Sequence, residues 1–102
     1  MAVTDVTADT FEAEVLRAEQ PVLVDFYADW CRNCRQMAPF AEQIAEERPD
    51  VKICRVNIET DRSIADAYSV KSIPTFIVFR NGSAKNRIVG TKPKGSLLAL
   101  LR

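Results

Sequence analysis

Hydrophobic and polar residues follow two different periods along the chain. Three runs are apolar enough to be strands buried within a sheet, and they cover residues 21–27, 51–58 and 75–80. The dipeptide Asn81-Gly82 follows the third run and is a two-residue hairpin signal, because both turn positions need a positive φ. Residues 83–89 are therefore predicted to be the antiparallel partner of residues 75–80.

Four other segments are predicted to be helices, and they cover residues 9–17, 31–48, 63–68 and 95–101. Thr7 or Asp9 is the expected N-cap of the first one, since both side chains can accept a hydrogen bond from a free backbone N–H. Strands that alternate with helices and then end in a hairpin and a helix predict an α/β fold. We expect one domain, residues 1–102, with a mixed central sheet.

Composition argues against several classes of function. The chain has 102 residues, of which 47% are hydrophobic and 27% charged, and this balance is ordinary for a small globular protein. Its 14 basic and 14 acidic residues cancel, so no nucleic-acid or anionic-membrane partner is expected. We find neither a secretory signal pattern nor an apolar run of membrane-spanning length, so the expected location is cytoplasmic.

The charges are nevertheless distributed unevenly. Residues 1–51 carry 4 basic and 11 acidic side chains, whereas residues 52–102 carry 10 basic and 3 acidic ones. Because strands from the two halves should interleave in one sheet, we expect the opposite charges to neutralise each other. A polarised surface that docks a partner is the alternative.

Cys31 and Cys34 form a Cys-x-x-Cys pair in the first turn of the predicted helix 31–48, shortly after the strand 21–27. At a helix N-terminus, free N–H groups and the helix dipole favour the reactive thiolate of Cys31, which indicates redox chemistry. A buried packing pair or half of a zinc site are the alternatives. Zinc would need two more ligands, but the chain lacks histidine and Cys54 is its only other cysteine. We expect no metal, no cofactor and a packing role for Cys54.

Four further positions bear on the redox interpretation. Asp25 interrupts an apolar strand, where burial would raise its pKa and suit it to exchange a proton with a thiol; an edge position is the alternative. Arg55, on the next strand, is a candidate counter-charge or a solvated side chain. Pro74 either starts a strand or is a cis proline. Gly90 allows close approach of a partner backbone or simply forms a turn.

With these residues in place, the chain resembles the thioredoxin family. The matching segments occur in family order over nearly the whole chain, and they are residues 24–31 with Cys34, then 37–39, 56–58, 73–75, 79–82 and 89–90. The resemblance implies a thioredoxin fold, with a central mixed sheet of four to five strands flanked by four helices. It also implies a monomer that reduces protein disulfides through a reversible Cys31–Cys34 disulfide, with disulfide-containing proteins as substrates and a thioredoxin-reductase-type electron donor.

The resemblance further implies a role for each matched site residue. Cys31 would be the exposed nucleophile, and Cys34 would be the more buried residue that resolves the mixed disulfide. Asp25 would accept the proton of Cys34 through water. Pro74 would be cis. The residues expected to bind the substrate are Trp30, Ile73, Pro74 and Gly90.

The chain departs from the family pattern between the two cysteines, where Arg32-Asn33 replaces the usual Gly-Pro. Arg32 and Arg35 should stabilise the thiolate, so we expect a less negative reduction potential than with Gly-Pro. Arg55 replaces a lysine, which keeps the charge but removes any proton-transfer role. A specialised, isomerase-like oxidoreductase and a non-catalytic binding module with this fold are therefore the alternatives to a general reductase.

Overall fold

A computed structural model describes residues 3–102, which form a mixed five-stranded sheet in the order β1-β3-β2-β4-β5. The strands are β1 (Val3–Asp5), β2 (Val22–Tyr27), β3 (Lys52–Asn57), β4 (Thr75–Arg80) and β5 (Ser83–Val89). The first three run parallel, and β4 pairs antiparallel with both β2 and β5. The predicted α/β fold with a mixed sheet is confirmed, and the bounds of β4 and β5 are those predicted.

Four helical segments flank the sheet within the described part of the chain. They are a π-helical turn (Glu12–Leu16) and the helices α1 (Arg32–Glu47), α2 (Arg62–Ala67) and α3 (Lys94–Leu100). The expectation of four helices is met, but the first is a single wide turn rather than an α-helix over residues 9–17.

The predicted N-cap of this first segment, Thr7 or Asp9, is wrong. The N-cap is Phe11, which makes no capping hydrogen bond through its side chain. Thr7 instead forms a turn with Thr10. The Thr7 N–H donates to Thr10 Oγ1 at 3.0 Å, and the Thr7 carbonyl accepts from Thr10 N at 3.1 Å. The segment therefore begins later than the polar residues suggest.

The sequence pattern also missed β1. This strand has only three residues, too few for an alternating pattern to be recognised. It is held by its parallel register with β3, in which Val3 lies opposite Ile53, and the N–H of Val6 donates to Arg55 O at 2.9 Å.

Each face of the sheet packs against helices and forms its own hydrophobic core. One core lies under the π-helical turn and α2, and its sheet residues are Val22, Val24, Phe26, Cys54, Val56, Ile77 and Phe79. The other lies under α1 and α3, and its sheet residues are Leu23, Ile53, Phe76 and Val78. Because side chains alternate along a strand, Asp25 shares the face of Leu23 and points toward the side covered by α1.

The two oppositely charged halves of the chain meet in the folded structure. Three ion pairs join an acidic residue of residues 1–51 to a basic residue of residues 52–102, and they are Glu14–Lys52, Asp25–Arg55 and Glu47–Lys94. This supports the expectation of mutual neutralisation. None of the helices in residues 3–102 has the length and apolar character needed to cross a bilayer.

Candidate active site

Cys31 and Cys34 are joined by a disulfide at the N-terminus of α1, with their Cα atoms 5.2 Å apart. Cys31 is the N-cap residue, in an extended conformation, and its Sγ accepts a hydrogen bond from the Cys34 N–H at 3.1 Å. The Cys31 N–H donates to Ala28 O at 3.2 Å, which shapes the short loop between β2 and α1. A sulfur at this position receives a free N–H and the positive end of the helix dipole, as the sequence predicted.

Both cysteines are buried in this disulfide form, although Cys31 is the less buried of the two. The exposed fraction is 5% for Cys31 and 1% for Cys34. The order agrees with the sequence-based expectation, but the expectation of an exposed Cys31 is wrong for this state. The physical reason is packing, because Ala28, Tyr27 and Ile73 cover the pair.

The loop before β4 and the turn after β5 meet beside the disulfide. The Ile73–Pro74 peptide bond is cis, Pro74 is buried, and Ile73 packs against the cysteine cluster. The Gly90 N–H donates to Pro74 O at 2.8 Å. Gly90 has a φ of 89°, which favours glycine, while a Cβ there would meet no atom within 4 Å. This glycine is explained by its backbone conformation, and the space beside it is open.

Trp30 is the most exposed large hydrophobic residue in the described part of the chain, with 63% of its surface accessible. Its indole N–H is fixed by a hydrogen bond of 2.6 Å to Oε2 of Glu59. Sequence reasoning missed Glu59. The contact arises from the sheet register, because Tyr27 pairs with Asn57 and the strand ends that lead to Trp30 and Glu59 are therefore adjacent.

Asp25 lies in the middle of the central strand β2 and has no accessible surface, so the predicted burial is confirmed and the edge position is excluded. Its Oδ2 lies 3.4 Å from Arg55 Nε, and within residues 3–102 neither carboxylate oxygen has a hydrogen-bond partner. Burial raises the pKa of Asp25 to about 7, while the charge of Arg55 acts in the opposite direction. This carboxyl can gain or lose a proton near neutral pH.

Arg55 is held between Asp25 and an aromatic ring. Its guanidinium carbon lies 3.8 Å from the centre of the Tyr27 ring, which is cation–π geometry. Asp25 and Tyr27 are two residues apart on the same face of β2, and Arg55 is the register partner of Asp25 on β3. The counter-charge was predicted from the sequence, whereas the stacking on Tyr27 was missed.

A cavity of about 330 Å³ opens beside Cys34. Its lining includes Cys34, Tyr27, Arg35 and Arg55. Arg35 is fixed at this wall, since its Nη1 donates to Asp29 O at 2.8 Å. The cavity has the size and the polar groups needed to admit water between Cys34 and the guanidinium that contacts Asp25.

The remaining residues singled out by the sequence are Arg32, Asn33 and Cys54. Arg32 and Asn33 are exposed in the first turn of α1. Cys54 is a free, fully buried cysteine in the core under the π-helical turn, on the sheet face opposite Asp25. Burial raises the pKa of Cys54 to about 11, which agrees with the expected packing role.

Comparison with known proteins identifies similar chains. The family model described as Thioredoxin matches residues 2–102. A Thioredoxin of Streptomyces clavuligerus is 50% identical over 94 residues, covering 92% of this chain and 88% of the relative. Thioredoxin 1 of Synechococcus elongatus is 44% identical, covering 90% and 87%. A Thioredoxin of Rickettsia bellii is 42% identical, covering 93% and 91%.

Proposed function

This chain belongs to the thioredoxin family and is a thiol–disulfide oxidoreductase with protein-disulfide reductase activity, and we propose that Cys31 and Cys34 carry the reaction. The observation that carries this proposal is the disulfide at the N-terminus of α1, with Cys31 as the N-cap. The chemistry needs a thiolate at one sulfur and a second thiol within bonding distance, and this position supports both.

The reaction is two successive thiol–disulfide exchanges. The thiolate of reduced Cys31 attacks one sulfur of the target disulfide, a mixed disulfide forms, and the second target sulfur leaves as a thiolate that takes a proton from water. Cys34 then loses its proton and attacks Cys31 Sγ, which releases the first target sulfur. Two electrons pass to the target, and the protein is left with the Cys31–Cys34 disulfide.

Asp25 is the proposed acceptor of the Cys34 proton. With a pKa of about 7, a substantial fraction of Asp25 is ionised at neutral pH and can act as a base. Arg55 contacts Asp25 and lines the same cavity as Cys34, which supports transfer through water. Arg55 acts only through its permanent charge, since a guanidinium does not release its proton.

Target chains bind beside Trp30, Ile73, Pro74 and Gly90, of which Pro74 is buried and supports the loop that carries Ile73. Ile73 contacts the cysteine cluster, and the hydrogen bond between Gly90 and Pro74 joins the two adjacent loops. Trp30 supplies exposed apolar area immediately before Cys31. Exposed apolar area beside a reactive sulfur suits an extended segment of a protein substrate.

Arg32, Asn33 and Arg55 tune the redox equilibrium. Arg32 adds a positive charge next to Cys31 and favours the thiolate of the reduced form, so the potential is less negative than with Gly-Pro. Arg32-Asn33 in place of Gly-Pro makes a specialised or isomerase-like oxidoreductase the second candidate function, after the general reductase.

The cellular setting is part of the same proposal. We expect a cytoplasmic, monomeric protein of one domain, residues 1–102, that works without a cofactor and transfers electrons from a thioredoxin-reductase-type donor. The exposed large hydrophobic side chains within residues 3–102 are Trp30 and Val89, which is a small apolar surface and supports a monomer.

Reduction of insulin disulfides with dithiothreitol as the electron donor tests the function. The wild-type protein should accelerate precipitation of the insulin B chain, and Cys31→Ser should abolish the acceleration. Cys54→Ala is the matched control and should keep it. An unchanged rate with Cys31→Ser would overturn the proposal.

A further inference from the structure

We propose that basic side chains around the disulfide select target disulfides that are flanked by acidic residues. The side chains are Arg32, Lys71 and Lys92, which come from three different segments of the chain. The inference rests on the proposed function, because it requires that the target chain lies over the surface beside Cys31. It adds a substrate class to that function.

The first segment is the start of α1. Arg32 directly follows Cys31 and its side chain is exposed. Arg35 is also exposed in the same turn, but one of its nitrogens is occupied by the hydrogen bond to Asp29 O. Arg32 adjoins Cys31 in the sequence and, unlike Arg35, makes no side-chain hydrogen bond within residues 3–102.

The second segment leads into β4. Lys71 precedes Ile73 by two residues, and Ile73 packs against the cysteine cluster. Two residues of extended chain span at most about 7 Å, so the backbone of Lys71 lies close to the edge of the site. Lys71 is exposed, and its flexible stem can carry the ammonium group over a bound segment.

The third segment follows β5. Lys92 lies two residues after Gly90, whose N–H is bonded to Pro74 O at 2.8 Å, so this segment is fastened to the loop that carries Ile73. Lys92 is exposed as well. The same limit on chain length places it near the surface at which the target chain is proposed to bind.

These three cations have no carboxylate partner within residues 3–102, and the same is true of Lys85 and Arg102 at the other end of the sheet. Within residues 3–102, Arg32, Lys71 and Lys92 form no ion pair, whereas Lys52 and Lys94 each contact a glutamate. Charge that is not neutralised inside the protein remains available to a bound chain.

The acidic side chains near this surface are Asp29, Glu59 and Asp61. Glu59 accepts from the Trp30 indole N–H, and Asp61 accepts from Ala8 N and from Thr60 Oγ1. Arg32, Lys71 and Lys92 make no such side-chain contact within residues 3–102, so their charge can act on a bound chain. An attraction confined to such a region acts within about one Debye length and weakens as salt is added.

Two synthetic peptides test the proposal. Each contains the same internal disulfide and the same hydrophobic residues, with aspartates flanking the cysteines in one and lysines in the other. The prereduced protein, freed of dithiothreitol, is mixed with each peptide, and the second-order rate of peptide reduction is measured by rapid quenching. At about 20 mM salt the aspartate peptide should react about fivefold faster, and at about 500 mM salt the ratio should approach one.

Two double variants with the same change in net charge separate local from global electrostatics. Lys71→Glu/Lys92→Glu should abolish or invert the preference. Lys85→Glu/Arg102→Glu is the control, because Lys85 lies toward the hairpin end of β5 and Arg102 lies beside Arg80 at that same end of the sheet. The control should keep the preference.

Equal rates for the two peptides at low salt, or an unchanged preference in Lys71→Glu/Lys92→Glu, would overturn the inference and leave the proposed function intact. If the protein reduced neither peptide, the result would contradict the proposed function, and the inference that rests on it would be wrong as well.

Discussion

Arg55 Nε lies 3.4 Å from Oδ2 of Asp25, and both atoms are buried. The contact does not make Asp25 an ordinary salt-bridged carboxylate. Desolvation by burial is the larger effect and raises its pKa to about 7, while Arg55 only limits the rise. A carboxyl group that titrates near neutral pH is thus held on the face of the sheet covered by the helix that carries Cys34.

We predict that the free energy of unfolding of oxidised Asp25→Asn increasingly exceeds that of the oxidised wild-type protein as the pH rises. The pKa of Asp25 is 3.8 in the unfolded chain and about 7 in the folded one, so the folded state binds the proton more tightly. Ionisation of Asp25 therefore lowers the free energy of unfolding between about pH 4 and about pH 7, and Asn removes this loss.

The stability difference between variant and wild type should grow by about 4 kcal/mol from pH 4 to pH 8, since one pH unit corresponds to about 1.4 kcal/mol. Urea unfolding at both pH values measures it. A difference that is the same at pH 4 and pH 8 would contradict a raised pKa of Asp25.

The stack of Arg55 on Tyr27 leads to a prediction about the titration of Asp25. Arg55→Met removes the charge that lowers this pKa, so it should rise above about 7. Tyr27→Phe keeps the aromatic face under the guanidinium and should leave the pKa close to the wild-type value. Carbon-13 NMR of the Asp25 carboxyl group reports both, and a lower pKa in Arg55→Met would refute the assigned role of Arg55.

The residues between the cysteines should set the reduction potential. We expect the wild-type potential to be less negative than that of Arg32→Gly/Asn33→Pro by about 15–30 mV, which is about a threefold to tenfold change in the equilibrium constant. The reason is the positive charge of Arg32 beside the Cys31 thiolate.

Redox titration against glutathione buffers gives the two potentials. The single variants Arg32→Gly and Asn33→Pro separate the effect of the charge from that of the backbone. The interpretation fails if the wild-type potential is equal to that of the double variant or more negative.

Cys54 should be chemically inert in the folded protein. It is fully buried and burial raises its pKa to about 11, so little thiolate forms and reagents cannot reach it. With the Cys31–Cys34 disulfide intact, iodoacetamide should label Cys54 only after unfolding in urea. Rapid labelling of the native oxidised protein, detected by mass spectrometry, would exclude a pure packing role.

The sequence predicted those elements whose side-chain pattern is long and regular. β4 and β5 have the predicted bounds because a two-residue turn fixes where the hairpin reverses. Strand β1 was not predicted because its three residues are too few to show an alternation of hydrophobic and polar side chains. The first helical segment begins later than predicted because Thr7 hydrogen-bonds to Thr10 in a turn that precedes it.

At the site, local features were predictable and contacts across the sheet were not. The burial of Asp25 followed from apolar neighbours on both sides, and the position of Cys31 followed from a strand that gives way to a helix. The contacts of Trp30 with Glu59 and of Tyr27 with Arg55 depend on the register of β2 and β3, which the pattern of each single strand does not specify.

The most direct test of the account asks which sulfur is attached to the target during the reaction. Reduced Cys34→Ser is mixed with a disulfide peptide, excess thiol is blocked, and the protein is digested and analysed by mass spectrometry. We predict a stable mixed disulfide between the peptide and Cys31, because the residue that would release it is missing. A peptide attached at Cys54, or no attached peptide although the disulfide is reduced, would contradict the assignment of Cys31 as the nucleophile.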